Sequence, residues 1–248
     1  MTANILNIAA YRFVPLDDLP VLQSRLQQAA EARQLKGTVL LAPEGINLFL
    51  AGADTAVNGW LAALQEDTRF AGITVKRSWS ASQPFKRLKV KLKREIVRMD
   101  LPTLRPATAR PPGVAPTTLA RWLQQGHDDE GHPVKMLDTR NGFEVDDGAF
   151  EGAIDWRLSK FTEFPAALAA RRDELAGATI VSYCTGGIRC EKAALVMQDL
   201  GIARCFQLDG GILQYFEDTG GTAPGWRGRC FVFDERVGLD PALHSAMG

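Results

Sequence analysis

Five prolines fall between Leu101 and Pro116, in LPTLRPATARPPGVAP, with no long apolar run among them. Proline fixes its own φ, offers no amide hydrogen and pushes the residue before it out of the helical region. The stretch therefore reads as a semi-extended linker over 101–116. It divides the chain into a first part at 1–100 and a second at 117–235, both of ordinary domain size, with a tail at 236–248. Hydrophobic residues make up 46% and charged residues 23%, enough apolar material for a core in each part. No apolar run approaches the ~20 residues that span a bilayer. The N-terminus lacks the basic flank and small-residue cleavage site of a secretion signal. Four cysteines in 248 residues are too few for a disulfide framework. A cytoplasmic protein with reduced thiols is expected.

The first part alternates between the two hydrophobic periods. Ile5 to Val14 reads as a strand. A helix follows to about Gln34, capped by Asp17 or Asp18, with Leu19, Leu22 and Leu26 on one face. KGTVLLAPEGINLFLAG gives two apolar runs broken at Pro43 to Gly45, a hairpin signal. A second helix is expected from Asp54 to Leu64, and strands at Ile73 to Lys76 and Arg87 to Lys93. The β-α-β-β-α-β order predicts an α+β sandwich of ferredoxin-like type.

Charge is spread unevenly. The whole chain is neutral, yet Lys76 to Arg98 holds nine basic residues against the single acid Glu95, a local charge of +8. In RLKVKLKRE the apolar Leu88, Val90 and Leu92 are expected to face the core, with Arg87, Lys89, Lys91 and Lys93 on the other side. Lysines on an edge strand block unwanted pairing. Together with Lys76, Arg77, Lys86 and Arg94, and with Trp79 and Phe85 as stacking faces, they also form a surface suited to a nucleic-acid backbone. Both readings stand at this point.

The second part predicts a parallel α/β domain. Short apolar strands at Val134 to Asp138, Thr179 to Tyr183 and Ala203 to Leu208 alternate with helices at Glu191 to Leu200 and around Leu213 to Glu217. Ligand chemistry in such folds collects at the carboxyl ends of the strands, where YCTGGIRC lies. Two adjacent glycines allow successive amides to point inward and form an anion nest. The following helix N-terminus and Arg189 add positive charge. A thiolate or persulfide at Cys184 would be stabilised there, cradled by Thr185, Gly186, Gly187 and Ile188. The spacing is C-x4-R, one residue shorter than in cysteine phosphatases, and the tighter loop suits one sulfur better than a phosphate. Cys190 is either an inert core thiol or a resolving thiol for oxidised Cys184. Cys205 and Cys230 fall in strand-like runs and are expected in the core. Zinc would need paired C-x2-C or matched histidines. His127 and His132 lie in an acidic loop, QQGHDDEGHP, and no metal site is expected.

MLDTRNGFEVDDGAFEGAIDWRLSKFTEFP, IVSYCTGGIRCEKAA and QLDGGILQYFE together resemble a rhodanese domain across 117–220. With APEGIN in the first part and CFVFDERV after the second, the chain is similar to the bacterial tRNA uridine(34) hydroxylase family, an N-terminal ferredoxin-like domain joined to a rhodanese-like one. The resemblance implies oxygen-dependent conversion of the tRNA wobble uridine to 5-hydroxyuridine, with O2 and a reductant as co-substrates and no bound cofactor. It carries the active cysteine to Cys184 and the cradle to Arg189. It aligns Asp138 and Arg140 with the rhodanese D-x-R, as a structural pair or as catalytic groups. It implies the tRNA anticodon loop as partner, with neither DNA nor membrane, and leaves room for a redox partner. Longer relatives continue into a cysteine-rich tail, whereas this sequence has no cysteine after Cys230, so no metal or redox role of that tail is expected. A thiosulfate or persulfide sulfurtransferase is the alternative, since it needs the same cysteine loop.

Overall fold

Leu6, Ile8 and Ala10 recur at every second position of the first strand, and that period of two fixes which face of the first sheet is buried. The computed structural model describes residues 5–109 and 111–245. These fall into two units, one holding the chain up to Arg98 with Phe233–Arg236 and the residues from His244, the other holding Met99–Val232 with Val237–Leu243.

The first unit runs β1 (Ile5–Phe13), α1 (Leu19–Glu31), β2 (Lys36–Ala42), β3 (Gly45–Gly52), α2 (Asp54–Gln65), β4 (Val75–Ser80) and β5 (Leu88–Leu92). The sheet order is β4-β1-β3-β2-β5, antiparallel except for the β2–β5 pair. This is the expected ferredoxin-like sandwich with one strand added at its edge. Leu22, Leu26 and Ala30 of α1 and Val57, Trp60, Leu61 and Leu64 of α2 pack on one face, against Val39, Leu41, Ile46, Leu48 and Leu50. Trp60 is fully buried and donates its indole hydrogen to the Leu26 carbonyl at 3.3 Å. Truncating such a residue costs about 3–5 kcal/mol.

Several expectations need correction. Asp18 stands at the start of α1 but does not cap it. Its carboxylate takes two hydrogen bonds from Arg69, at 2.6 and 3.0 Å, and Asp67 holds the same guanidinium. That charge-assisted pairing outcompetes a neutral amide for the Asp18 oxygens and lowers its pKa. The fourth strand begins at Val75 rather than Ile73 and runs on to Ser80, so Trp79 is a strand residue and is exposed. Leu92 is not core: it is the last residue of the edge strand β5 and is 40% exposed.

The PEGIN turn has a definite structural task. The Glu44 carboxylate accepts the Ile96 amide at 2.7 Å, and Asn47 donates to the Ile96 carbonyl at 3.3 Å. The chain leaving β5 is thereby fastened across the end of the β2–β3 hairpin. The DER segment is fastened as well. Arg236 is gripped by Asp234 and donates to the Ser78 hydroxyl at 2.7 Å, while Glu235 lies 3.3 Å from Lys86.

The second unit runs β6 (Gly113–Val114), α3 (Pro116–Gln125), β7 (Val134–Asp138), α4 (Gly142–Val145), β8 (Gly148–Phe150), α5 (Phe164–Ala170), β9 (Thr179–Tyr183), α6 (Ile188–Asp199), β10 (Cys205–Leu208), α7 (Gly211–Asp218), β11 (Trp226–Gly228), β12 (Cys230–Phe231) and β13 (Gly238–Leu239). A parallel sheet of order β6-β10-β9-β7 forms the centre. All five residues of β9 are buried, as a strand covered on both faces requires. The proline-rich segment thus ends inside this unit, since β6 pairs with Gln207 and Leu208 and α3 begins at Pro116. Among the described residues no helix is long and apolar enough to cross a membrane.

Replacing Glu44 with Ala should free the strap after β5 without unfolding the unit. One charge-assisted hydrogen bond is worth ~1.5–3 kcal/mol, so tryptic cleavage at Lys93 or Arg94 should accelerate by roughly tenfold or more. Limited proteolysis followed by mass spectrometry checks it.

Candidate active site

The loop at the carboxyl end of β9 is shorter than the sequence implies. Helix α6 starts at Ile188, three residues before the expected Glu191, so Arg189 and Cys190 belong to its first turn. The nest proper is Cys184 to Gly187. Gly187 closes it at φ +96°, a backbone conformation that a side chain disfavours. The Gly187 amide donates to the Cys184 sulfur at 3.1 Å.

A second helix locks the loop from outside. At the start of α7 the amides of Ile212 and Leu213 donate to the carbonyls of Cys184 and Thr185, at 3.0 and 3.2 Å. With those two carbonyls pinned, the loop keeps the Gly187 amide on the Cys184 sulfur. The close approach depends on Gly211, which has φ +68° and stands so near the loop that a Cβ would lie 2.4 Å from the Cys184 carbonyl oxygen. Gly186, at the crown of the loop, faces open space, with no atom within 4 Å of where a Cβ would be. Thr185 reaches sideways and donates its hydroxyl to the Phe231 carbonyl at 3.3 Å.

Cys184 is only 1% exposed, but its surroundings are amides, a guanidinium and a thiol rather than hydrocarbon. Burial by itself would push its pKa up. The Cys190 thiol, the Arg189 charge and the amides of Arg189 and Gly187 outweigh burial and hold the pKa at about 6, against an ordinary 9.0. A thiolate is therefore the dominant form at neutral pH. Burial and the donation to Cys184 push Cys190 well upward, so it stays a thiol. Thr139 lies on its other side, with Oγ1 3.8 Å from the Cys190 sulfur.

Arg189 is fixed by a partner that no spacing rule reveals. Glu144, fully buried on α4, takes both ends of the guanidinium at 2.8 and 2.9 Å. The signal in the sequence is only a capping box, Asn141-x-x-Glu144, and the Glu144 carboxylate does accept the Asn141 amide at 3.1 Å. Asp138 and Arg140 form a structural pair. Both side chains have no exposure, and Arg140 also donates to the carbonyls of Glu144 and Gly148, with its guanidinium carbon 5.5 Å from the ring centres of Tyr183 and Trp226. Cys205 and Cys230 are buried, as the strand-like runs imply.

The residues of the sulfur loop, Cys184, Thr185, Gly186, Gly187, Ile188, Arg189 and Cys190, thus come together. The basic residues do not form one cluster. Lys76 and Arg77 lie on β4 and Lys89 and Lys91 on β5, the two opposite edges of the first sheet, four strand spacings or about 19 Å apart. Register puts Lys76 beside Ala9, and Lys89 and Lys91 beside Thr38 and Leu40, all on the face without helices. Tyr11 and Phe49 project from the central strands on that same face. Arg77 and Trp79 point to the helix side, and Lys86, Arg87, Lys93 and Arg94 are exposed around β5. Among the described residues no group of three or more His, Cys, Asp or Glu could hold a metal.

Three variants probe this geometry. Glu144→Ala strands a buried guanidinium and should cost about 3–5 kcal/mol in denaturant unfolding. Cys190→Ala removes a donor to the sulfur, so the Cys184 titration should move upward and its alkylation by iodoacetamide near pH 6 should slow. Gly211→Ala should lower that reactivity at neutral pH by driving α7 away from the loop.

Residues 5–96 match the model of the UPF0176 acylphosphatase-like domain, and residues 119–218 match that of the rhodanese-like domain. The chain is 61% identical over 239 residues to a tRNA uridine(34) hydroxylase of Variovorax paradoxus, covering 96% of this chain and 90% of the relative. A protein of the same name from Bordetella petrii is 60% identical, with 98% and 95% covered, and one from Bordetella avium is 61% identical, with 97% and 98% covered. With both domains matched and this identity across nearly the whole length, the chain belongs to the tRNA uridine(34) hydroxylase family.

Proposed function

We propose that this protein is a cytoplasmic enzyme that hydroxylates C5 of uridine 34 in tRNA, with Cys184 as its reacting sulfur. The observation that carries the reading is the amide collar, which keeps one sulfur anionic, in a chain about 60% identical to proteins named for this activity. The overall change consumes O2. One oxygen atom enters the C5–H bond and the other leaves as water, with two electrons and two protons drawn from a reductant. A buried anionic sulfur serves such chemistry as a nucleophile toward the pyrimidine or as a carrier of an added sulfur or oxygen atom. Cys190, a protonated neighbour, supplies the hydrogen bond that steadies the anion, and that proximity supports a role as the thiol that resolves an oxidised Cys184.

The substrate strand is the anticodon loop, where the wobble base leaves its stack at little cost. Its phosphates meet the helix-free sheet face, with Lys89 and Lys91 at one edge and Lys76 at the other. Lys86, Arg87, Lys93 and Arg94 extend the β5 edge, and Arg77 flanks the β4 edge. The split of the basic residues favours a strand laid across the sheet over a single charged spot.

Nucleoside analysis of tRNA from cells lacking the gene tests the activity. 5-Hydroxyuridine and its derivatives should disappear, return with the wild-type gene and stay absent with Cys184→Ser. Rescue by Cys184→Ser would refute the role of the sulfur, and thiosulfate:cyanide transfer without tRNA hydroxylation would favour a sulfurtransferase. Replacing Lys89 and Lys91 together with Glu should weaken tRNA binding by at least tenfold and flatten its dependence on salt. A filter-binding series against salt concentration reads both.

A further inference from the structure

Beside the sulfur collar lies an aromatic pair that the chemistry of the loop does not use. Phe143 is 51% exposed, and among the described residues of the second unit no other aromatic side chain is as open to solvent. A ring left half open next to a reactive loop offers a face on which another flat group can stack. Its ring meets that of Phe231 edge to face, with centres 5.3 Å apart and planes at 85°. Such a corner presents one flat face and one adjoining edge.

Both residues are tied to the collar. Phe143 is the residue before Glu144, whose carboxylate holds Arg189 in two hydrogen bonds. Phe231 lends its carbonyl to the hydroxyl of Thr185, the residue after the nucleophile. Gly186, the crown of the loop, faces open space. Any shift of the collar therefore carries the aromatic corner with it, and the reverse.

We infer that Phe143, backed by Phe231, is the stacking platform that holds the target pyrimidine beside the Cys184 loop. This rests on the proposed action on a tRNA uridine. A base taken from its stack loses contact on both faces, and an aromatic ring restores one of them. Stacking is indifferent to the identity of the base, so the platform supplies position while other groups select uracil. The collar is already filled by an anionic sulfur that repels a phosphate, which leaves the uncharged base as the part of a nucleotide suited to approach it.

The test uses an anticodon stem-loop RNA carrying either uridine or an abasic site at position 34. Base-on-aromatic stacking is worth ~1–3 kcal/mol, or about 5- to 150-fold in affinity. The wild-type protein should bind the uridine form at least fivefold tighter than the abasic form. Phe143→Ala should bring that ratio to about one, and Phe143→Tyr should keep most of it. Alkylation of Cys184 by iodoacetamide should proceed at the wild-type rate in Phe143→Ala, reporting an intact collar. An unchanged ratio in Phe143→Ala, or no preference in the wild type, overturns the platform. Failure of the wild type to hydroxylate full-length tRNA overturns the functional reading instead, and because binding is measured separately the two failures are told apart.

Discussion

A sulfur anion removed from water has to be compensated by something other than water. Cys184 is compensated by amides of the loop, by the Arg189 charge and by the Cys190 thiol. Burial alone would favour the thiol, and these groups together reverse that preference, bringing the pKa down from the ordinary 9.0 to about 6. Much of the second unit serves to keep those groups aimed: β9 delivers the residue, α6 gives its first turn, and α7 pins the loop carbonyls on the far side.

The support extends in a chain. Asp138 fixes Arg140, Arg140 holds the Glu144 carbonyl, and the Glu144 carboxylate holds Arg189. Every charge in that series is buried and every one has an opposite partner, the arrangement under which buried ions are tolerated. The D-x-R pair therefore acts on the sulfur through two intervening residues, Glu144 and Arg189, by position and not through contact. Charge balance also explains why the collar tolerates a guanidinium beside a thiolate and a carboxylate: the three alternate in sign.

Much of the fold was legible because it rests on local period and turn chemistry. The strict alternation of Leu6, Ile8 and Ala10 and the apolar run of β9 each placed a strand, and paired glycines before α6 marked the nest. What escaped notice depends on contacts distant in the chain. Asp18 prefers Arg69 over its own helix, a choice made by residues 51 positions apart. Leu92 keeps the alternating pattern but falls at the open end of an edge strand, where it is left 40% exposed. The basic residues are close in sequence yet part to opposite edges, because the sheet interposes three strands between β4 and β5. Glu144 and Gly211 belong to the site only through tertiary packing: the first looks like a helix cap, the second like half of a turn.

The account depends on Cys184 being ionised within its collar under physiological conditions. Ultraviolet absorbance of the thiolate, recorded against pH for the wild type and for Cys184→Ser, measures this directly. The difference between the two should titrate with a midpoint close to pH 6. A midpoint near the ordinary thiol value of 9.0, or no difference between the proteins, would contradict it.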